Sequence, residues 1–198
     1  MRRSSRAFVL LSLMRRGAMW QGEGMPDDLD EVTIRIAQVD DAPAIARVHV
    51  RSWQEAYESI VPAAHLASLD PETRAEEWVR HLETGPHDHV RTWIAESQGT
   101  LLGFVTVGPS RDEDARPRER EIYSMCLDPG TWGHGVARHL ARTVVHEVGG
   151  TFPLALWVLA ENERARHFFR RNGFQADGTE RYEDVGGAEL LQVRYRRG

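Results

Sequence analysis

Residues 121–142 read EIYSMCLDPGTWGHGVARHLAR, and the reading of the whole chain turns on this stretch. Ile122, Tyr123, Met125, Cys126 and Leu127 form an almost unbroken run of strand-favouring and apolar residues, so both faces of a strand here are expected to be covered. Asp128, Pro129 and Gly130 stop that strand. Gly133, Gly135 and Ala137 follow at every second position, and Val136, Leu140, Val144 and Val145 then recur at the spacing of a helix buried on one face. A helix therefore starts where side chains are nearly absent.

The backbone N–H groups of a helix's first turn have no partner inside the helix, and the aligned peptide dipoles place partial positive charge there. Glycine and alanine at such a turn let phosphate oxygens approach the N–H groups closely. The order of glycines is not the G-x-G-x-x-G of a dinucleotide fold, and no Gly-Lys-Ser/Thr of a P-loop occurs. Two readings stay open on these residues alone: a phosphate cradle, and a capped turn joining strand to helix.

With 198 residues, 41% of them hydrophobic, the chain is long enough for one well-buried domain and short for two. All 25 basic residues are arginine, against 30 acidic ones, and the net charge of −5 argues against nucleic acid as a partner. A single cysteine, Cys126, excludes an intrachain disulfide framework and points to a reducing, cytoplasmic compartment. Arg2, Arg3 and Arg6 precede the apolar run Ala7–Met14, which resembles a signal peptide. The run is short, arginines follow it, and it cannot span a bilayer. Residues 1–31 are read as a disordered extension ending in the acidic MPDDLDE, with Met25 as an alternative start, and residues 32–198 as the domain.

Val32–Ala37 alternates as a half-exposed strand does, Asp40 or Asp41 with Pro43 opens a helix, and Asp70-Pro71-Glu72 opens a second. Trp53 to Pro62 leaves the helical period while carrying Trp53 and Tyr57, which read either as an aromatic cover on the sheet or as the wall of a substrate pocket. Val90–Glu96 and Leu101–Gly108 flank Ser97-Gln98-Gly99-Thr100 and predict a hairpin. Pro109–Arg120 reads as an exposed, solvated loop. His87-Asp88-His89 sits in a Gly, Pro and Asp-rich loop with no second ligand cluster, so no metal is expected. Phe152–Leu159 is a second apolar strand, parallel to the first because a helix joins them. A helix over Glu163–Arg171 ends at Asn172-Gly173. Two last strands, Phe174–Thr179 and Leu190–Arg196, are expected to be joined by a polar loop holding Arg181, Tyr182, Glu183 and Asp184.

Two motifs in this order resemble the GNAT superfamily of N-acetyltransferases. Trp132-Gly133-His134-Gly135-Val136-Ala137 resembles its Q/R-x-x-G-x-G/A loop, with Trp132 in place of Gln or Arg. The stretch WVLAENERARHFFRRNGF resembles N-x-x-A-x-x-F/L-Y-x-x-x-G-F through Asn162, Ala165, Phe168, Gly173 and Phe174, with Phe169 where tyrosine is usual. The resemblance implies an α/β GNAT fold: a mixed central sheet of about seven strands, splayed between strands 4 and 5 and flanked by about four helices. It also implies acetyl-CoA as co-substrate, no metal, an amine acceptor that is a small molecule or a peptide, no membrane partner, and a homodimer.

Carried over position by position, the backbone of Met125, Cys126 and Leu127 meets pantetheine. Trp132, Gly133, His134, Gly135, Val136, Ala137 and Arg138 hold the pyrophosphate, while Asn162 and Phe169 border the pantetheine arm. Transfer requires an uncharged amine to attack the thioester, so one group must accept a proton and another must steady the thiolate. Glu121 matches the resemblance's base position, with a solvent-facing strand end as the other reading. Phe169 cannot serve as the acid, and Tyr123, on the face of Glu121, or Tyr182 is the substitute hydroxyl. An acetyl-CoA-binding sensor with little activity remains the alternative to an enzyme.

Overall fold

The computed structural model describes residues 32–85 and 87–198, so the extension read for residues 1–31 lies outside the described residues. Strands β2 (Arg91–Ser97) and β3 (Thr100–Pro109) meet at the two residues Gln98 and Gly99, whose φ values of 49° and 77° give the turn that suits the twist of a hairpin. That turn sets Ser97 opposite Thr100, and the register then shifts by one residue between Glu96 and Ala95, where Ala95 faces Gly103. Edge strand β1 (Thr33–Ile36) pairs with β2, and β4 (Arg120–Leu127) pairs with β3, all antiparallel. Helix α4 (Val136–Val144) then crosses over, which makes β5 (Leu154–Leu159) parallel to β4. After α5 (Glu163–Arg171), the hairpin of β6 (Gln175–Val185) and β7 (Ala188–Arg197) completes a seven-stranded sheet of order β1-β2-β3-β4-β5-β7-β6.

The apolar periodicity of each helix decides which face of the sheet it covers. Helices α1 (Ala42–Ala56) and α3 (Pro71–Thr84) bury Ile45, Trp53 and Trp78 against Phe104 and Cys126 on one face. Helices α4 and α5 bury Leu140, Val144 and Phe169 against Ile122, Met125 and Leu156 on the other. Each such large side chain, fully enclosed, contributes about 1.5–3 kcal/mol relative to exposure. The start of α3 is fixed by Asp70, whose carboxylate accepts the Thr73 N–H at 2.7 Å, as the Asp-Pro-Glu signature leads one to expect. Among the described residues no helix is long and apolar enough to cross a membrane.

Three expectations need correction. Trp53 does not leave the helical period: α1 continues through it to Ala56, and a six-residue helix α2 (Ala63–Ser68), too short to show a period, follows, giving five α-helices among the described residues, in keeping with the expected fold. Arg181 to Asp184 are not a loop: β6 runs through them, and the connection is Gly186-Gly187, with φ of 62° and 87°. As an edge strand β6 needs few apolar residues, so its polarity resembled a loop.

The third correction is partial: residues 113–118 form an exposed loop as expected, but the segment 110–119 is tethered by an ionic underside. Arg194 of β7, 2% exposed, donates from Nη1 and Nη2 to Asp114 at 2.6 and 2.7 Å and from Nη1 to Asp112 at 3.1 Å. Its Nε donates to Asp177 at 2.7 Å, and Arg196 pairs with the buried Glu119 at 3.1 Å. Asp112 also accepts the Trp157 indole N–H at 3.2 Å. Asp112, Asp114 and Glu119 of this loop are thus held by Arg194 and Arg196 of β7 and by the Trp157 indole of β5, too far along the chain for local composition to reveal.

Candidate active site

Strand β4 supplies the centre of the site through two irregularities. Opposite β3, Val107 faces Ile122 and Thr106 faces Ser124, so Tyr123 is an extra residue, a bulge. Opposite β5, pairing covers Arg120 to Ile122 and stops at Ile122–Leu156. From Tyr123 onward the two parallel strands part. Met125 and Leu127 then bury their side chains in the α4 and α5 core, and Cys126 in the α1 and α3 core. The parted segment therefore offers backbone to the gap.

The glycine turn lies at the end of this segment. Gly133 and Gly135 have φ of 91° and 86°, left-handed conformations that a residue with a Cβ adopts at a cost, and Gly135 is the N-cap of α4. Arg138 donates the first N–H of the helix back to Gly135 at 2.9 Å, whereas those of Val136 and Ala137 precede the intrahelical ladder. Gly133, His134 and Arg138 face solvent, while Val136 and Ala137 anchor the turn in the core. Trp132, at the departure from the Gln/Arg pattern, packs against the core and donates its indole N–H to the Leu127 carbonyl at 3.2 Å. Its side chain ties the turn to β4 instead of pointing out of it.

Across the gap, Asn162 caps α5 by accepting the Ala165 N–H at 3.0 Å, and its amide donates to the Tyr57 hydroxyl at 3.5 Å. Tyr57 is fully enclosed and meets Trp53 edge-on at 5.2 Å; burial, followed by Cys126, holds its phenol above the ordinary value. The two aromatic substrate candidates thus stand with Asn162 at the far end of β4. Phe169 is enclosed between Phe168 and Phe174, with ring separations of 5.1 and 5.5 Å, and brings no polar atom to the gap.

Glu121 is 0% exposed, which removes the solvent-facing reading. Its carboxylate accepts the Arg111 backbone N–H at 3.0 Å and the Arg111 Nη2 at 2.6 Å. The same guanidinium lies 3.9 Å over the Tyr123 ring. Tyr123 rests on Gly108, where an added Cβ would come within 2.6 Å of the phenol oxygen, and donates its hydroxyl to the Pro109 carbonyl at 2.6 Å. Burial raises that phenol too. Glu121 and Tyr123 do share a face, as the strand period gives, but each is engaged by the start of the β3–β4 loop.

On the same face a cavity of about 240 Å³ opens between α1, α3, β3 and β4, lined by His49, Arg74, Trp78, Arg111, Tyr123 and Ser124, among others. Reading the sequence did not find His49, Arg74, Arg111 or Ser124. Only the bulge turns Ser124 to the side of Tyr123, and a strict two-residue alternation hides it. His49 Nδ1 accepts the Trp78 indole N–H at 3.3 Å, so Nε2 carries the proton and is a donor. Burial, helped by the charge of Arg74, pulls the His49 pKa down to about 3, and burial also lowers that of His81 in the same wall.

The comparisons with known proteins agree with this geometry. The model of the acetyltransferase (GNAT) family matches residues 50–174. A probable N-acetyltransferase of Mycobacterium tuberculosis is 27% identical over 168 residues, 83% of this chain and 92% of that protein. The N-alpha-acetyltransferase RimI of the same organism is 34% identical over 110 residues, 55% of this chain and 66% of its own. Among solved structures, the PaiA N-acetyltransferase of Thermoplasma acidophilum in complex with coenzyme A superposes with a TM-score of 0.62 at 19% identity, over 82% of this chain and 97% of that one. The seven-stranded sheet, the parting of β4 from β5 and the matched motif residues have one common explanation: the chain belongs to the acetyltransferase (GNAT) family, a family of acyltransferases.

Proposed function

We propose that the protein moves an acetyl group from acetyl-CoA directly to the amine of a small molecule or a peptide N-terminus, in the cytoplasm. The observation that carries this reading is the left-handed turn at Gly133 and Gly135, set at the start of α4 at the end of the segment over which β4 has parted from β5. The exposed N–H groups of that turn suit a pyrophosphate. The parted edge of Met125–Leu127 suits an extended chain with amide groups, as the pantetheine arm has. Support comes from the coenzyme A bound in the similar fold of PaiA and from the N-alpha-acetyltransferase name of the RimI relative.

The chemistry asks the chain's own residues for two things. A proton must leave the amine nitrogen as its bond to the acetyl carbon forms, and one must reach the sulfur as the carbon–sulfur bond breaks. Glu121 is the carboxylate nearest the parting of the strands along β4, and Arg111 holds it in one orientation. Backbone N–H groups at the parted edge are suited to steady the carbonyl oxygen. The engagement of Glu121 by Arg111, together with the enclosed Phe169, favours a second reading: a module that binds acetyl-CoA with little turnover.

Thiol release from acetyl-CoA by the purified chain, against polyamines, amino acids, aminoglycosides and short peptides, separates the two. Transfer predicts that one amine class stimulates release, and that Glu121→Gln loses it while still binding CoA. Binding of CoA with no release for any acceptor supports the module.

A further inference from the structure

The cavity beside Tyr123 and Ser124 is lined by two guanidinium groups. Arg74 and Arg111 are its cations among the described residues, and Glu77, the partner of Arg74, is its one carboxylate. Glu121, the partner of Arg111, is not in the wall: it is fully buried behind the guanidinium. Each guanidinium thus has a carboxylate partner and the two pairs balance, but the Arg74–Glu77 pair is open to the cavity and can exchange Glu77 for a ligand carboxylate, and Arg111 stands between Glu121 and the space, so guanidinium rather than carboxylate charge faces it; His49 and His81 are held neutral by burial. To that charge His49 adds a donor at Nε2, its orientation fixed by Trp78 on Nδ1. Trp78 and Val90 supply an apolar wall.

We propose that this cavity seats the acceptor and that the acceptor is a small amine bearing a carboxylate, the carboxylate bound by Arg74 and Arg111. The inference rests on the acetyl transfer proposed above and names its substrate class. At about 240 Å³ the space lies below the roughly 300–1,000 Å³ of sites for drug-sized ligands, which suits one small molecule. Guanidinium groups match the two oxygens of a carboxylate and remain charged at every working pH. Tyr123 and Ser124 belong both to this wall and to the first residues past the end of β4–β5 pairing, so an amine seated here faces the gap. In the transfer a nitrogen–carbon bond forms, the carbon–sulfur bond breaks, and the proton lost by nitrogen balances the one gained by the thiolate. The products are an N-acetylated amino carboxylate and the free thiol.

The test is a calorimetric titration of the full chain, preloaded with CoA, by two matched pairs: L-phenylalanine against phenethylamine, and 4-aminobutyrate against butylamine. The carboxylate member is expected to bind at least about tenfold more tightly, the smallest effect of a charge-assisted hydrogen bond. Arg74→Gln, at a partly exposed helix position, is expected to bring the two members of each pair to within about threefold. Equal affinities within both pairs, no binding by either carboxylate, or an unchanged gap in Arg74→Gln would each overturn the assignment. Thiol release in the same mixtures distinguishes the two proposals. Carboxylate binding without release refutes acetyl transfer and leaves the seat standing, whereas release by phenethylamine and butylamine equal to that by their carboxylate partners refutes the seat and leaves transfer standing.

Discussion

Lowering the pH from 7 to 5 is expected to cost this protein stability, most of all through His49. In the fold its imidazole is enclosed by Trp53, Trp78 and Phe104, with ring separations of 6.1, 6.0 and 5.7 Å, and its pKa is about 3. In the unfolded chain it has the ordinary value near 6.5. The unfolded state therefore takes up a proton that the folded state refuses, and acid favours unfolding. The stabilisation is whole above pH 6.5 and declines as pH falls from there toward 3. Integrated from pH 7 to 5 the loss is about 2 kcal/mol, and it grows to roughly 4 kcal/mol by pH 3. His49→Gln keeps an oxygen to accept the Trp78 N–H and removes the titration. Urea unfolding of both proteins at pH 7, 6 and 5 isolates the effect from the other histidines. The stability of the variant relative to the native chain should rise by about 2 kcal/mol across that range. Parallel curves for the two proteins would refute the argument that His49 is dry and neutral.

Other residues give sharp outcomes. Arg194→Met takes the buried cation from Asp112 and Asp177, leaving Asp177 to Arg196 at 3.1 Å and Asp112 to Arg181 at 3.9 Å, and should destabilise by about 2–3 kcal/mol, read by thermal unfolding; trypsin should cut after the exposed Arg118 faster than in the native chain. A loss under about 1 kcal/mol with unchanged cleavage would mean that the ionic network does not tether the loop. Arg194 holds the Asp114 carboxyl down to about 2, against about 3.9 unfolded. This contribution to the tether is whole above pH 4 and fades toward pH 2, so the amide resonances of residues 112–115 should shift across that window and stay fixed above it. Asp70→Ala removes the cap of α3 and should cost about 1 kcal/mol in urea unfolding, a value near zero meaning that the Thr73 N–H finds another acceptor.

What could be read from the sequence was what neighbours in sequence determine. The strand–turn–helix at residues 121–142 announced itself because Gly133 and Gly135 fall where backbone with φ near 90° is needed. The Ser97–Thr100 turn and the Asp70 cap are equally local. The parting of β4 from β5 came only through the family resemblance, since no residue in either strand marks where pairing ends. The surroundings of Glu121 were hidden for a different reason. Arg111 sits in a segment whose charges resemble a solvated surface, and what tethers that segment, the pairing with Arg194 and Arg196, lies some eighty residues later. The β4 bulge likewise breaks the alternation that any strand reading assumes, so Ser124 and the cavity it lines came to light only with the fold.

The central claim is that the turn before α4 binds the pyrophosphate of acetyl-CoA, and calorimetric titration of CoA into the chain and into Gly135→Val tests it most directly. At φ 86° a β-branched residue is strained and its Cβ crowds the N–H groups of the turn. Saturable one-to-one binding is predicted, with a Kd between about 1 μM and 1 mM, weakened at least about tenfold in Gly135→Val while the variant stays folded. No binding of CoA at millimolar concentration, or equal binding by both proteins, would contradict the account.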